Sequence, residues 1–187
     1  MTTEFGHGLD QAVQKAFTRP APKGAGTQMR YLVKQLKATK VVAEVLGISQ
    51  RQVERYVAGQ AKRPRAGLAA RLEREVKKRW QPQIRAKARE RAATTGGIVI
   101  DVHARLGYAG APMDSTDEDR IRHLTVALPP QHAARLFDAQ QQGASENTLR
   151  QLTAEALKEV YFQDGGRRAG RLEEVRFTDI EHLEFGL

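Results

Sequence analysis

The sequence predicts an α+β protein whose N-terminal half is all helix and whose C-terminal half mixes helix with strand. Three observations predict it. Apolar residues recur at helical spacing through the first half, the period shortens to that of strands from "ATTGG" onward, and the charge changes sign at the same boundary. Residues 1–92 hold 21 Lys and Arg against 7 Asp and Glu, a charge of +14, whereas residues 93–187 hold 10 against 15, a charge of −5. The expected organisation is an N-terminal helix and linker over 1–26, a basic helical domain over 27–92 and an α+β domain over 93–187.

"GLDQAVQKAFTRP" reads as a short amphipathic helix stopped before Pro20, and "PAPKGAG" as a linker in which Pro and Gly deny regular structure. Thr27 is positioned to cap "QMRYLVKQLK", where Met29, Leu32, Val33 and Leu36 form a buried stripe. Thr39 is positioned to cap "KVVAEVLG", ended by Gly47. Ser49 should cap "QRQVERYVAG", with Gln52 completing a capping box. Beyond "KRPR" lies a strongly patterned helix, "AGLAARLEREVKKRW"; its Trp80 reads as core rather than as a platform for an unpaired base. Pro82 separates it from a second basic stretch, "IRAKARERAA".

In the second half, "GIVIDVHARLGY" and "IRHLTVALP" carry the β-branched, alternating pattern of strands, and "APMDSTDEDR" lies in the connection between them. Pro129 or Pro130 starts the helix "QHAARLFDAQQQ", which Gly143 ends. Ser145 caps "ENTLRQLTAEALKEVYF", ended by "DGG", and "EEVRFTDIEHLEF" is the last strand.

Composition excludes several chemistries. With no cysteine there is no disulfide, no cysteine-ligated zinc and no thiol nucleophile. No GxxxxGK[ST] loop is present, and "GHG" and "TTGG" are too short to be nucleotide fingerprints. The five histidines, His7, His103, His123, His132 and His182, are scattered and never form HExxH, so no metal site is expected. An enzymatic alternative, a magnesium nuclease using Asp101, Asp117 and Asp119, is weak. Asp101 and His103 share one face of a strand, but that spacing arises readily by chance. The N-terminus lacks a basic region followed by an apolar stretch, and no window approaches a membrane span. The expectation is a cytoplasmic protein with no membrane partner.

The stretch "TKVVAEVLGISQRQVERYVA" has the layout of a helix-turn-helix. Ala43 is small where the first helix must nearly touch the second, and Gly47 sits where the turn needs a left-handed backbone. Val42, Leu46, Ile48, Val53 and Tyr56 are apolar where the helices pack. The fold expected is thus an N-terminal all-α helix-turn-helix domain followed by a small α+β domain. Its partner would be DNA, bound in a salt-dependent way, and the location nucleoid-associated. Ser49, Gln50, Arg51 and Arg55 are placed to reach base edges: Arg51 suits guanine, Gln50 suits adenine, and Ser49 is spent on its cap. Lys62, Arg63, Arg65, Arg85, Lys87, Arg89 and Arg91 suit phosphates.

In the acidic connection, Ser115 with Glu118 matches the capping box S-x-x-E. A hydroxyl on an exposed turn is equally what a polymerase needs when a side chain replaces a primer's 3′-hydroxyl.

Ordered blocks along nearly the whole chain carry a resemblance: "AFTRP", "MRYLVKQLK", "LGISQRQVERYV", "LAARLEREVKKRWQP", "ATTGGIVID", "DRIRHLTVALP", "AARLFDAQ", "LKEVYFQDGGRRAG" and "LEEVRFTDIEHLEF". In these the sequence resembles the telomere-protecting terminal proteins (Tpg) of linear actinobacterial chromosomes and plasmids. That resemblance implies a protein that binds DNA telomere ends and their 3′ overhang and becomes linked to the 5′ phosphate through a side-chain hydroxyl. It would prime end patching by accepting a deoxynucleotide, dCMP from dCTP, from a DNA polymerase that supplies Mg2+ and dNTP; no cofactor is intrinsic. The telomere-binding protein Tap would recruit it, with a topoisomerase as a further companion. By the family's pattern the linked residue is Thr116, and the preceding "APMD" leaves Ser115 as the alternative. A different class of function also fits the helices: a non-covalent helix-turn-helix regulator or partition protein, in which the C-terminal half dimerises and Thr116 only caps a turn.

Overall fold

A computed structural model describes residues 5–109, 120–167 and 172–187. Among them, eight α-helices accompany one three-stranded antiparallel sheet, an α+β combination. None of these helices is long and apolar enough to cross a membrane. Internal contacts divide the chain into two compact units, Phe17–Pro82 and Met1–Ala16 with Gln83–Leu187. The boundaries expected at 26/27 and 92/93 do not coincide with these. The N-terminal helix and the basic stretch after Pro82 both belong to the α+β unit, because the apolar stripe of the first and Arg85 of the second are buried there.

The Phe17–Pro82 unit is built from α2 (Ala25–Leu36), α3 (Thr39–Leu46), α4 (Gln50–Val57) and α5 (Ala66–Arg79). Met29, Leu32, Val42, Leu46, Val53, Leu72 and Val76 are fully buried in its core. Neither threonine caps its helix. The buried stripe of α2 starts at Ala25, so extended Gly24 takes the capping position and Thr27 falls inside; Thr39 is the first helical residue after extended Ala38. Ser49 does cap α4, its Oγ accepting from the Gln52 N–H at 3.2 Å. Trp80 is half-buried: its ring meets Tyr31 edge-on at 5.0 Å and its indole N–H donates to the Arg19 carbonyl at 2.9 Å. An indole held by a ring contact and through its N–H is a packing element.

The second unit comprises α1 (Phe5–Gln14), α6 (Pro82–Arg91), a π-helical turn (Ala92–Gly96), β1 (Ile98–Ala109), β2 (Ile121–Leu128), α7 (Pro130–Gln141), α8 (Glu146–Leu157), a second π-turn (Lys158–Phe162) and β3 (Glu174–Gly186). Helix α1 stops at Gln14, short of Pro20, because its apolar stripe of Phe5, Leu9, Ala12 and Val13 has ended. Strand β1 lies between β2 and β3 and is antiparallel to both. Its Ile100, Val102, Ala104 and Leu106 point inward with Leu124, Val126, Phe177 and Phe185, against Phe5, Leu9, Leu136, Phe137 and Leu149 of the helices. Strict alternation along β1 leaves Val99, Asp101 and His103 on the other face. Pro130 opens α7, and Ser145 caps α8 by accepting from the Thr148 N–H at 3.1 Å.

Gly97 joins the first π-turn to β1 at φ 68°, ψ −160°, a backbone region open essentially to glycine alone. A Cβ there would lie 2.3 Å from the Leu128 carbonyl oxygen. Gly97→Ala is expected to destabilise the protein by about 3 kcal/mol or more, from backbone strain plus overlap. Gly67→Ala, at an open helical position, is expected to stabilise it by up to about 1 kcal/mol. Urea unfolding curves of the two variants test the contrast.

Candidate nucleic-acid interface

The Phe17–Pro82 unit carries 16 Lys and Arg against 4 Asp and Glu, a charge of +12, and the other unit 15 against 18, a charge of −3. The charge contrast of the sequence therefore survives the redrawn boundaries. The positive field of the chain therefore belongs to the helical unit.

Helices α3 and α4 meet across Gly47, Ile48 and Ser49. Gly47 adopts the left-handed conformation (φ 62°, ψ 45°); its N–H donates to the Glu44 carbonyl at 3.2 Å, and the Ile48 N–H to the Ala43 carbonyl at 3.0 Å. Nothing lies near its missing Cβ, so glycine serves the backbone angle there and not close packing. Val42, Ala43, Leu46, Val53 and Tyr56 are buried between the helices, with half-buried Ile48 against the same core. That packing turns Ser49, Gln50, Arg51 and Arg55 outward, and all four are exposed. An open depression of about 450 Å³ runs beside them, with Arg51, Arg55 and Gln60 in its lining.

One feature of this face escaped the sequence-based expectation. The Gln50 amide donates to the Glu54 carboxylate at 2.9 Å, one turn along α4. The amide of Gln50 is thus already partly engaged, and Glu54 is itself an exposed acceptor on the same face. The i, i+4 spacing of a glutamine and a glutamate was the available signal. Lys62, Arg63 and Arg65 are exposed in the segment between α4 and α5.

The four cations of α6 do not act alike. Arg85 is 7% exposed, and its guanidinium donates to Asp10 of α1 at 2.6 Å. Arg89 lies 3.6 Å from the same carboxylate, donates to Gln140 Oε1 at 3.2 Å and covers the Phe137 ring at 5.6 Å. Burial, and then the charge of Arg85, lower the Arg89 pKa. The phosphate role expected for Arg85 and Arg89 is therefore withdrawn, because their i, i+4 spacing puts both on the face of α6 turned to α1 and α7. Lys87 and Arg91, two residues further on from each, are exposed.

Three of the histidines expected to be scattered come together. His123, His103 and His182 occupy one row across β2, β1 and β3 on the face opposite the helices, with the His103 and His123 rings 5.9 Å apart. In the next row Asp101 accepts from Thr125 Oγ1 at 2.6 Å, and its Oδ1 lies 3.1 Å from His123 Nε2 and 3.6 Å from His182 Nε2. The Thr125 and His123 hydrogen bonds hold the Asp101 carboxyl below the usual carboxylate range. Glu181 lies 2.9 Å from His103. Among the described residues, no group of three or more His, Asp and Glu side chains is arranged to hold a metal ion. Ser115 and Thr116, with Asp117 and Asp119 of the nuclease alternative, lie outside the described residues.

Compared with protein-family models, with curated proteins and with solved structures, the chain matches none.

Thr125→Val is expected to raise the Asp101 pKa toward its ordinary value, which a carboxyl-carbon NMR titration reads directly. The sign follows from linkage: a depressed carboxylate contributes stability above its unfolded pKa and loses it as pH falls through the folded value. The variant should therefore begin to lose this contribution at a higher pH than the wild type.

Proposed function

We propose that the chain is a terminal protein of linear replicons, which binds telomeric DNA, becomes covalently linked to its 5′ end and primes end patching. The observation that carries the DNA-binding half is the outward row of Ser49, Gln50, Arg51 and Arg55, presented by two helices joined through left-handed Gly47. We read α3 and α4 as a helix-turn-helix whose second helix enters the major groove, with Arg51 on guanine and Gln50 or Glu54 on a neighbouring base. Lys62, Arg63, Arg65, Lys87 and Arg91 neutralise phosphates.

The covalent half is supported by the resemblance to terminal proteins. In it the Thr116 hydroxyl oxygen attacks the α-phosphorus of dCTP. An oxygen–phosphorus bond forms, the bond to the bridging oxygen breaks, pyrophosphate leaves and the hydroxyl proton passes to a base. Mg2+ bound by the partner polymerase stabilises the charge that develops. Tap recruits the protein to the 3′ overhang, with a topoisomerase as a companion, and the protein stays with the nucleoid.

Two experiments test the two halves separately. In duplex-binding titrations over a range of salt, Arg51→Ala is expected to relax preference between cognate and random sequence. Lys87→Ala should weaken both alike and reduce the salt slope by about 1. Arg85→Ala should leave that slope unchanged, and equal losses on both duplexes for Arg51→Ala and Lys87→Ala would overturn the assignment. For the covalent half, the protein is incubated with polymerase, telomeric template, Tap and labelled dCTP. Label is expected on the wild type and on Ser115→Ala but not on Thr116→Ala. Loss in Ser115→Ala alone moves the attachment by one residue, and persistence in both variants removes this segment from the mechanism. An unlabelled wild type leaves a reversible regulator or partition protein.

A further inference from the structure

We propose that a recess in the α+β unit, beside α6 and the first π-turn, binds a nucleoside phosphate with its base against the apolar wall and its phosphate at the mouth. This deepens the DNA-binding role proposed above and rests on it only for the choice of ligand class. The recess measures about 480 Å³, within the range of small-molecule sites. Its apolar wall is Ile84, Ala88 and Ala92, and Lys87 and Arg91 are its two cations. No Asp or Glu side chain lines it.

Three physical points favour this ligand. First, Lys87 and Arg91 stand at i, i+4 on α6 and therefore share one face, exposed and without a carboxylate partner among the described residues. Their neighbours Arg85 and Arg89 have already been drawn to Asp10, so α6 has sorted its cations into a structural pair and an available pair. Second, a bare inorganic anion would use the cations and leave the apolar wall wet, whereas a nucleoside phosphate satisfies both. Third, alanine and glycine predominate around the recess, with Gly96 and Gly97 among its lining, so short side chains and backbone leave its volume open to a ring. The same chemistry belongs to a nucleotide within a single strand and to a free deoxynucleoside triphosphate.

The test uses the full chain and two probes, dCTP and a deoxycytidine single strand of about eight nucleotides. Two variants are compared with the wild type. Ala16→Trp fills the recess from an exposed lining position, and Lys87→Glu with Arg91→Glu reverses its charge; thermal unfolding followed by circular dichroism confirms that each is folded. Wild-type protein is expected to bind at least one probe, with shifts of the Ile84 and Ala88 methyl resonances. Both variants should weaken that binding about tenfold or more, and Ala16→Trp should keep wild-type affinity for duplex. Effects on dCTP assign the site to the free nucleotide, and effects confined to the oligonucleotide assign it to a strand. The proposal fails if the wild type binds neither probe, or if Ala16→Trp binds both unchanged, even where the charge reversal weakens binding. Its failure is separable from that of the helix-turn-helix assignment, which is read on duplex with Arg51→Ala.

Discussion

The Asp10 carboxylate fixes the roll of α6, and much of the α+β unit depends on that. Helix α6 carries Ile84, Ala86 and Ala88 but no continuous apolar stripe, so hydrophobic burial alone does not select which side faces inward. Asp10 does: it takes Arg85 at 2.6 Å and holds Arg89 nearby. A guanidinium as buried as that of Arg85 requires such a partner, since desolvation without pairing costs several kcal/mol. With the roll fixed, Ala92 enters the core, Thr94 and Thr95 bond back to the Glu90 and Arg91 carbonyls, and Gly97 turns the chain into β1. The same constraint leaves Lys87 and Arg91 to solvent.

Two electrostatic regimes therefore share one chain. On the helical unit, positive charge is spread over exposed Arg51, Arg55, Lys62, Arg63 and Arg65, where solvent screens it. In the α+β unit, charge is spent locally, in the Asp10 pairings and in the Asp101, His123 and His182 cluster. Counting cations along the sequence merges these regimes. Only the packing of α6 distinguishes a guanidinium that anchors a helix from an ammonium left in solvent.

Much of the fold was legible in the residues, for local reasons. Ile98, Ile100 and Val102 alternate with Val99, Asp101 and His103, so the strand was visible in its period. Ser49 and Ser145 capped as expected because an N-cap depends on three or four neighbouring residues. Thr27 and Thr39 failed the same test because burial further along each helix set where it began. The partner of α1 was not legible at all: an apolar stripe declares that a face is buried, not which core receives it. The histidine row depends on the register of three strands, including irregularities on the β3 side between His103 and Ala104 and between Arg105 and Leu106. No spacing rule along one strand contains that information.

The interleaving of the two units has a consequence during synthesis. Phe5 rests on Phe177 and Phe185, with ring centroids 5.6 and 6.5 Å apart, yet those residues are synthesised more than 170 residues after it. At the usual pace of translation the interval is on the order of ten seconds. Throughout it the nascent α1 displays a greasy, unsheltered stripe while the intervening helices are free to fold around their own core. The emerging polypeptide is thus most vulnerable to clumping, and most in need of a chaperone, after about a third of these residues are already native.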